Sequence, residues 1–145
     1  MQTKQKKLGD LGEQCFHTVF PYVIRSDNEF DTACDFRDVF GHTYEIKTQT
    51  RHPIKNVFSI SYHNETNKKK CFNVDHLIFV EYDDSPTITF HECVDRTNYV
   101  TYTTRFNKKT MIGFPIKEMK IIHTVYDPLL AQQMRDVSSD YRFKK

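Results

Sequence analysis

Asp35, Glu45 and Lys47 are the residues of this chain best suited to chemistry. Nine residues separate the two acids, and the lysine stands two beyond the second. Paired strands joined by a short turn would bring the two carboxylates almost opposite each other. Side-by-side acidic oxygens repel unless a cation sits between them, and hard oxygen ligands select Mg²⁺, with Mn²⁺ as a substitute. The carbonyl of Ile46, between Glu45 and Lys47, can add a ligand. The two-residue strand period puts Lys47 on the face of Glu45. There it can orient a water or stabilise charge developing on a phosphate. Gln49 extends that face by one more residue.

Several elements must position these groups. Residues 3–20 read as a helix, because Leu8, Leu11, Cys15 and Val19 recur at helical spacing and Pro21 stops the pattern. Residues 22–24 suit a short strand. Residues 32–50 read as a β-hairpin, with a turn over 38–42 and Gly41 in its left-handed position. Cys34 and Phe36 should share one face of the first strand, and Asp35 and Arg37 the other. Residues 56–62 alternate, and the polar stretch to Asn73 is a short helix or a long loop. His76 to Tyr82 is the clearest buried strand, and Thr87 to Val94 its partner. Residues 99–104 suit another strand, and 116–122 a helical turn or two. Asp127 and Pro128 make a good helix start, running to about Ser138. That helix could pack on the core, build a dimer or touch DNA.

Asp35, Glu45, Ile46 and Lys47, with Gln49 behind them, resemble the active-site hairpin of the PD-(D/E)XK nuclease superfamily. The run from Gly9 to Glu13 is similar to the helix that opens those proteins, with Glu13 at the position of its glutamate. The strand from His76 fits the core strand that follows their site, so the resemblance covers residues 4–94. Cys34 stands where the superfamily's name has proline, and Asp31 competes with Asp35 as the first carboxylate. The resemblance implies an α/β fold with a mixed central sheet flanked by helices, a restriction-endonuclease-like core. It implies Mg²⁺-dependent hydrolysis of DNA phosphodiesters to 5′-phosphate and 3′-hydroxyl ends. Glu13 would then help through a water or a second metal ion. Junction resolution, homing and restriction are all open to a chain of this size, and a homodimer is expected. The rivals are a non-catalytic nucleic-acid binder on the same fold and a nuclease directed at RNA.

The 145 residues make a single domain, 1–145, long enough for a real core. Apolar residues are 38% and charged residues 28%, which excludes a disordered or membrane-spanning chain. The N-terminal lysines have no apolar stretch behind them, so a cytoplasmic protein is expected. Four widely spaced cysteines read as buried thiols, and His91 with Cys93 lacks a second pair at zinc spacing. No organic cofactor is implied. Net charge is only +2, but the basic residues cluster. Lys68, Lys69 and Lys70 are the first candidates for phosphate contacts, and Lys4, Lys6 and Lys7 the second. Arg105, Lys108 and Lys109 flank Phe106, which could stack on a base or close a hairpin.

Overall fold

The computed structural model describes residues 3–25 and 34–143. The chain is a mixed α/β fold, as expected. Three α-helices and nine strands are formed among the described residues.

Helix α1 (Lys4–Val19) is capped by Thr3, whose hydroxyl accepts the Lys6 N–H at 3.1 Å. Its apolar stripe buries Leu8, Cys15 and Phe16. Strands β1 (Ile24–Arg25) and β2 (Phe36–Arg37) are only two residues each. A turn closed by the Asp38 N–H on the His42 carbonyl, 3.1 Å, leads into β3 (Thr43–Gln49). Gly41 has φ +83° there, the left-handed position expected of it. Strand β4 (Val57–Ser61) and helix α2 (Glu65–Asn73) follow. The polar stretch is thus a helix, with Asn64 as its cap. Strands β5 (His76–Glu81) and β6 (Thr87–Glu92) match the expected pair. Strands β7 (Val100–Thr103), β8 (Thr110–Pro115) and β9 (Lys120–Tyr126) precede helix α3 (Pro128–Val137).

One sheet has the order β1-β2-β3-β5-β6-β9, with β3 and β5 parallel and the other pairs antiparallel. A second sheet, β4-β8-β7, is antiparallel throughout. Strand β5 lies between two cores, which explains its unbroken apolar run. Ile78 and Val80 join Phe16, Phe36, Phe90 and Met134 on the side of α1 and α3. Leu77 and Phe79 join Phe58, Cys71 and Phe114 on the side of α2 and the second sheet. Phe79 stacks on Phe58 with ring centres 5.0 Å apart. Helix α3 therefore packs on the core, with Ala131 and Met134 wholly buried.

Two expectations are corrected. Cys34 and Phe36 do not share a face, because Cys34 packs in the second core and Phe36 in the first. The segment 116–122 is one 3₁₀ turn, Ile116–Glu118, and then the start of β9. The central mixed sheet is flanked by helices as expected, and the second sheet joins α2 on one face.

Helix α1 crosses β3 at Gly12, where contact is closest. A Cβ on Gly12 would lie 1.7 Å from Thr48 Oγ1, whereas a Cβ on Gly9 meets nothing within 4 Å. Gly12→Ala must push α1, and Glu13 with it, away from the sheet. It should cost at least about 2 kcal/mol in denaturant titrations. Gly9→Ala should be neutral or stabilise by up to about 1 kcal/mol. Equal effects of the two changes would contradict the crossing.

Candidate active site

The site forms where β2 stops early. Strand β2 pairs with β3 only through Phe36 and Arg37, and two further ties hold Asp35 in place. The Asp35 N–H donates to the Tyr44 carbonyl at 3.0 Å. Its carboxylate Oδ2 accepts the Ile46 N–H at 3.2 Å. In an extended strand a residue's N–H and C=O point to the same edge, so the Ile46 carbonyl faces this notch too.

Strand alternation sets Glu45, Lys47 and Gln49 on the face paired with Leu77, Phe79 and Glu81, toward α2. Glu45 is 2% exposed. Its Oε2 is 3.0 Å from Lys47 Nζ, and its Oε1 is buried with no hydrogen-bond partner among the described residues. Lys47 also donates to Asn67 Oδ1 on α2. One turn on, Lys70 Nζ lies 3.5 Å from Asp35 Oδ1. Glu13 reaches the same cleft from α1, with Arg25 at 3.6 Å. The cleft has a volume of about 1100 Å³ and is also lined by Lys6 and Lys109.

The electrostatics follow from burial and crowding. Burial first, and the nearby Asp35 second, push the Glu45 carboxyl up to about 7. The same two causes push Glu13 to about 7, against the pull of Arg25. Burial alone would depress the Lys47 ammonium, but Glu45 beside it outweighs this and holds it above the ordinary lysine value.

These residues fit a hard divalent cation. Among the described residues no three His, Cys, Asp or Glu side chains form a ready-made cage. A small cation that keeps several waters needs only one or two carboxylates, however. Asp35, Glu45 with its unpartnered oxygen, and the Ile46 carbonyl supply oxygen donors around one notch. A cation there would relieve the repulsion that raises Glu45.

Other expected residues fall differently. Gln49 spends its amide on the backbone of Ser59, donating to its carbonyl at 2.9 Å and accepting its N–H at 2.6 Å. It clamps the second sheet to β3. Lys68, Lys69 and Lys70 do not form one patch. Lys70 enters the site, Lys68 pairs with Glu65 at 3.1 Å, and Lys69 is exposed. Lys4, Lys6 and Lys7 are exposed on the first turns of α1, with Lys6 3.2 Å from Asp10. Arg105, Lys108 and Lys109 sit in the turn that closes β7 on β8. Asp31 lies outside the described residues. His91 and Cys93 are both buried, and His91 Nε2 meets Glu81 at 2.8 Å instead of forming a metal pair. All four cysteines are buried thiols, and no disulfide forms among the described residues. Asn67 and the site role of Lys70 escaped the sequence. Their three-residue spacing would have signalled one face only once 65–73 was known to be helical.

Compared with known proteins, the chain matches no family model and no curated sequence. Among the described residues no helix is long and apolar enough to cross a membrane.

Glu45 and Glu13 make stability depend on pH. A carboxyl held near 7, against an ordinary 4.5, lets the folded protein bind more protons than the unfolded chain. Stability in chelator should therefore fall as pH rises from about 4.5 to about 7, by about 3 kcal/mol for Glu45 alone. Glu45→Gln with Glu13→Gln should flatten that slope in denaturant titrations. Above that window Mg²⁺ should raise the melting midpoint of the wild type, and that of Glu45→Gln much less. A slope that survives both changes would show that other groups titrate.

Proposed function

We propose that this chain is a divalent-cation-dependent endonuclease that hydrolyses DNA phosphodiester bonds. The observation that carries this is Glu45, a buried carboxylate with one free oxygen, beside Asp35 and Lys47 at the wall of an open cleft. A protein that only bound nucleic acid would gain nothing from two crowded acids facing a polyanion. The resemblance of the hairpin and of Glu13 on α1 to the PD-(D/E)XK superfamily supports the same chemistry.

Asp35, Glu45 and the Ile46 carbonyl would hold Mg²⁺ or Mn²⁺. A cation bound there supplies Lewis acidity toward a phosphate oxygen and lowers the pKa of its water. Lys47 has its position fixed twice, by Glu45 and by Asn67. From there it orients the attacking water and faces charge as it develops on the phosphoryl oxygens. Water adds to phosphorus, the bond to the 3′ oxygen breaks, and that oxygen takes a proton from solvent water in the open cleft to leave as a hydroxyl. Glu13, held near neutrality, can accept the water's proton through a second water. Lys70, 3.5 Å from Asp35 Oδ1, holds that carboxylate in position. Lys6 and Lys109, at the cleft, suit the flanking phosphates.

Lys47→Ala should leave DNA binding within a few-fold of wild type. Its cleavage of supercoiled plasmid in Mg²⁺ should fall by about 10² or more. A near wild-type rate would remove Lys47 from the mechanism. If neither plasmid, linear duplex, four-way junction nor single strand is cut with Mg²⁺ or Mn²⁺, the protein is not a DNA nuclease.

A further inference from the structure

A second concavity, of about 340 Å³, lies on the opposite face of α2 from the cleft. That volume is at the low end of what small ligands occupy. Asn67 and Lys70, three apart on α2, face the catalytic groups. Lys68, Lys69 and Phe72 span the other side of the helix and line the groove with Tyr62 and Tyr99. Tyr62 and Tyr99 are 39% and 42% exposed, so each offers part of its ring to solvent. Phe72 supports Tyr99 edge-on, with ring centres 5.7 Å apart. Lys68 Nζ, paired with Glu65 at 3.1 Å, lies over one face of the Tyr62 ring 4.4 Å from its centre, and Lys69 has no ion-pair partner among the described residues. Half-open aromatic rings edged with lysines are the chemistry that takes unpaired bases and their phosphates.

The groove adjoins the cleft. Ser61 and Asn64 line the cleft, while Tyr62 between them lines the groove. The Tyr62 N–H donates to the Thr110 carbonyl at 3.1 Å, which ties this ridge to the base of the β7–β8 turn. At that turn Lys109 faces the cleft and Phe106 is 92% exposed between Arg105 and Lys108. A strand leaving the cleft over the ridge meets Tyr62 first.

We propose that this groove takes an unpaired DNA strand running on from the cleft, with bases stacked on Tyr62 and Tyr99 and phosphates on Lys68 and Lys69. The proposal rests on the nuclease reading and deepens it, because it names the substrate class: a duplex with a single-stranded arm. A fully paired duplex hides its base faces inside the stack and leaves the rings with nothing to cover.

Binding in chelator tests the groove without cleavage. A short blunt duplex is compared, by fluorescence anisotropy, with the same duplex carrying a deoxyribose or a ribose single-stranded tail. The deoxyribose tail should tighten binding. Tyr62→Ala and Tyr99→Ala should each cost roughly fivefold or more of that gain and leave the blunt duplex unchanged. Tyr62→Phe and Tyr99→Phe should keep the gain, since the ring face remains. The chain has no tryptophan, so 2-aminopurine in the tail reports stacking directly, and its emission should be quenched on binding. No advantage for the tail, including failure to bind either DNA, would overturn the proposal. So would a gain that persists in the Tyr62→Ala, Tyr99→Ala double variant, or one confined to the ribose tail. A protein that binds the tail yet cuts nothing with Mg²⁺ or Mn²⁺ would sink the nuclease reading and leave the groove in place.

Discussion

Burial of the Glu45 carboxylate beside Asp35 is the constraint on which the rest depends. A carboxylate this deep is costly unless something balances it. Lys47 meets one oxygen, and the other has no hydrogen-bond partner among the described residues. The fold accepts that cost because the notch left by the short β2 opens to the cleft. A cation entering there would complete the oxygen's contacts and relieve the repulsion in one step. The proposed chemistry and the local instability would then have the same origin.

The surrounding elements keep that arrangement rigid. Gly12 lets α1 sit against Thr48 and so carries Glu13 to the cleft. Gln49 copies a strand pair with its side chain and locks the second sheet onto β3. At the far end of β3, Thr50 donates to Asp140 at 2.7 Å, which ties the segment after α3 to the same strand. Beyond it Arg51 and His91 hold the Glu81 carboxyl down at about 2, a second buried charge that is fully paired. Glu81 and Glu45 thus differ in satisfaction, not in depth. That contrast is the ground on which Glu45, and not Glu81, is proposed as the functional one.

Much of the frame was legible because its signals are local. The stripe on α1, the turn at Gly41, the run through Leu77 to Val80 and the Asp127 cap each sit within a few neighbouring residues. The register of β2 on β3 followed from the turn, and with it the convergence of Asp35 and Glu45. The second sheet was not legible as a sheet. Strand β8 contains Gly113 and ends on Pro115, both poor strand signals, and one of its two partners, β4, lies far away in sequence. Strand β9 begins beside a 3₁₀ turn, so its apolar residues resembled a helical face. Helix α2 buries only Cys71 and has no apolar stripe, which hid Asn67 and made three lysines look like one patch. Gln49 looked catalytic because its face is correct, but its hydrogen bonds were decided by a strand outside its own hairpin.

The central claim is that Asp35, Glu45 and the Ile46 carbonyl together hold one divalent cation. Crystals equilibrated with Mn²⁺ and measured for anomalous scattering test it most directly. The account predicts one strong anomalous peak in the notch, within bonding distance of an Asp35 oxygen, the free oxygen of Glu45 and the Ile46 carbonyl, and its loss in Glu45→Gln. A well-ordered protein with no peak there, or with its peak on other residues, would contradict the account.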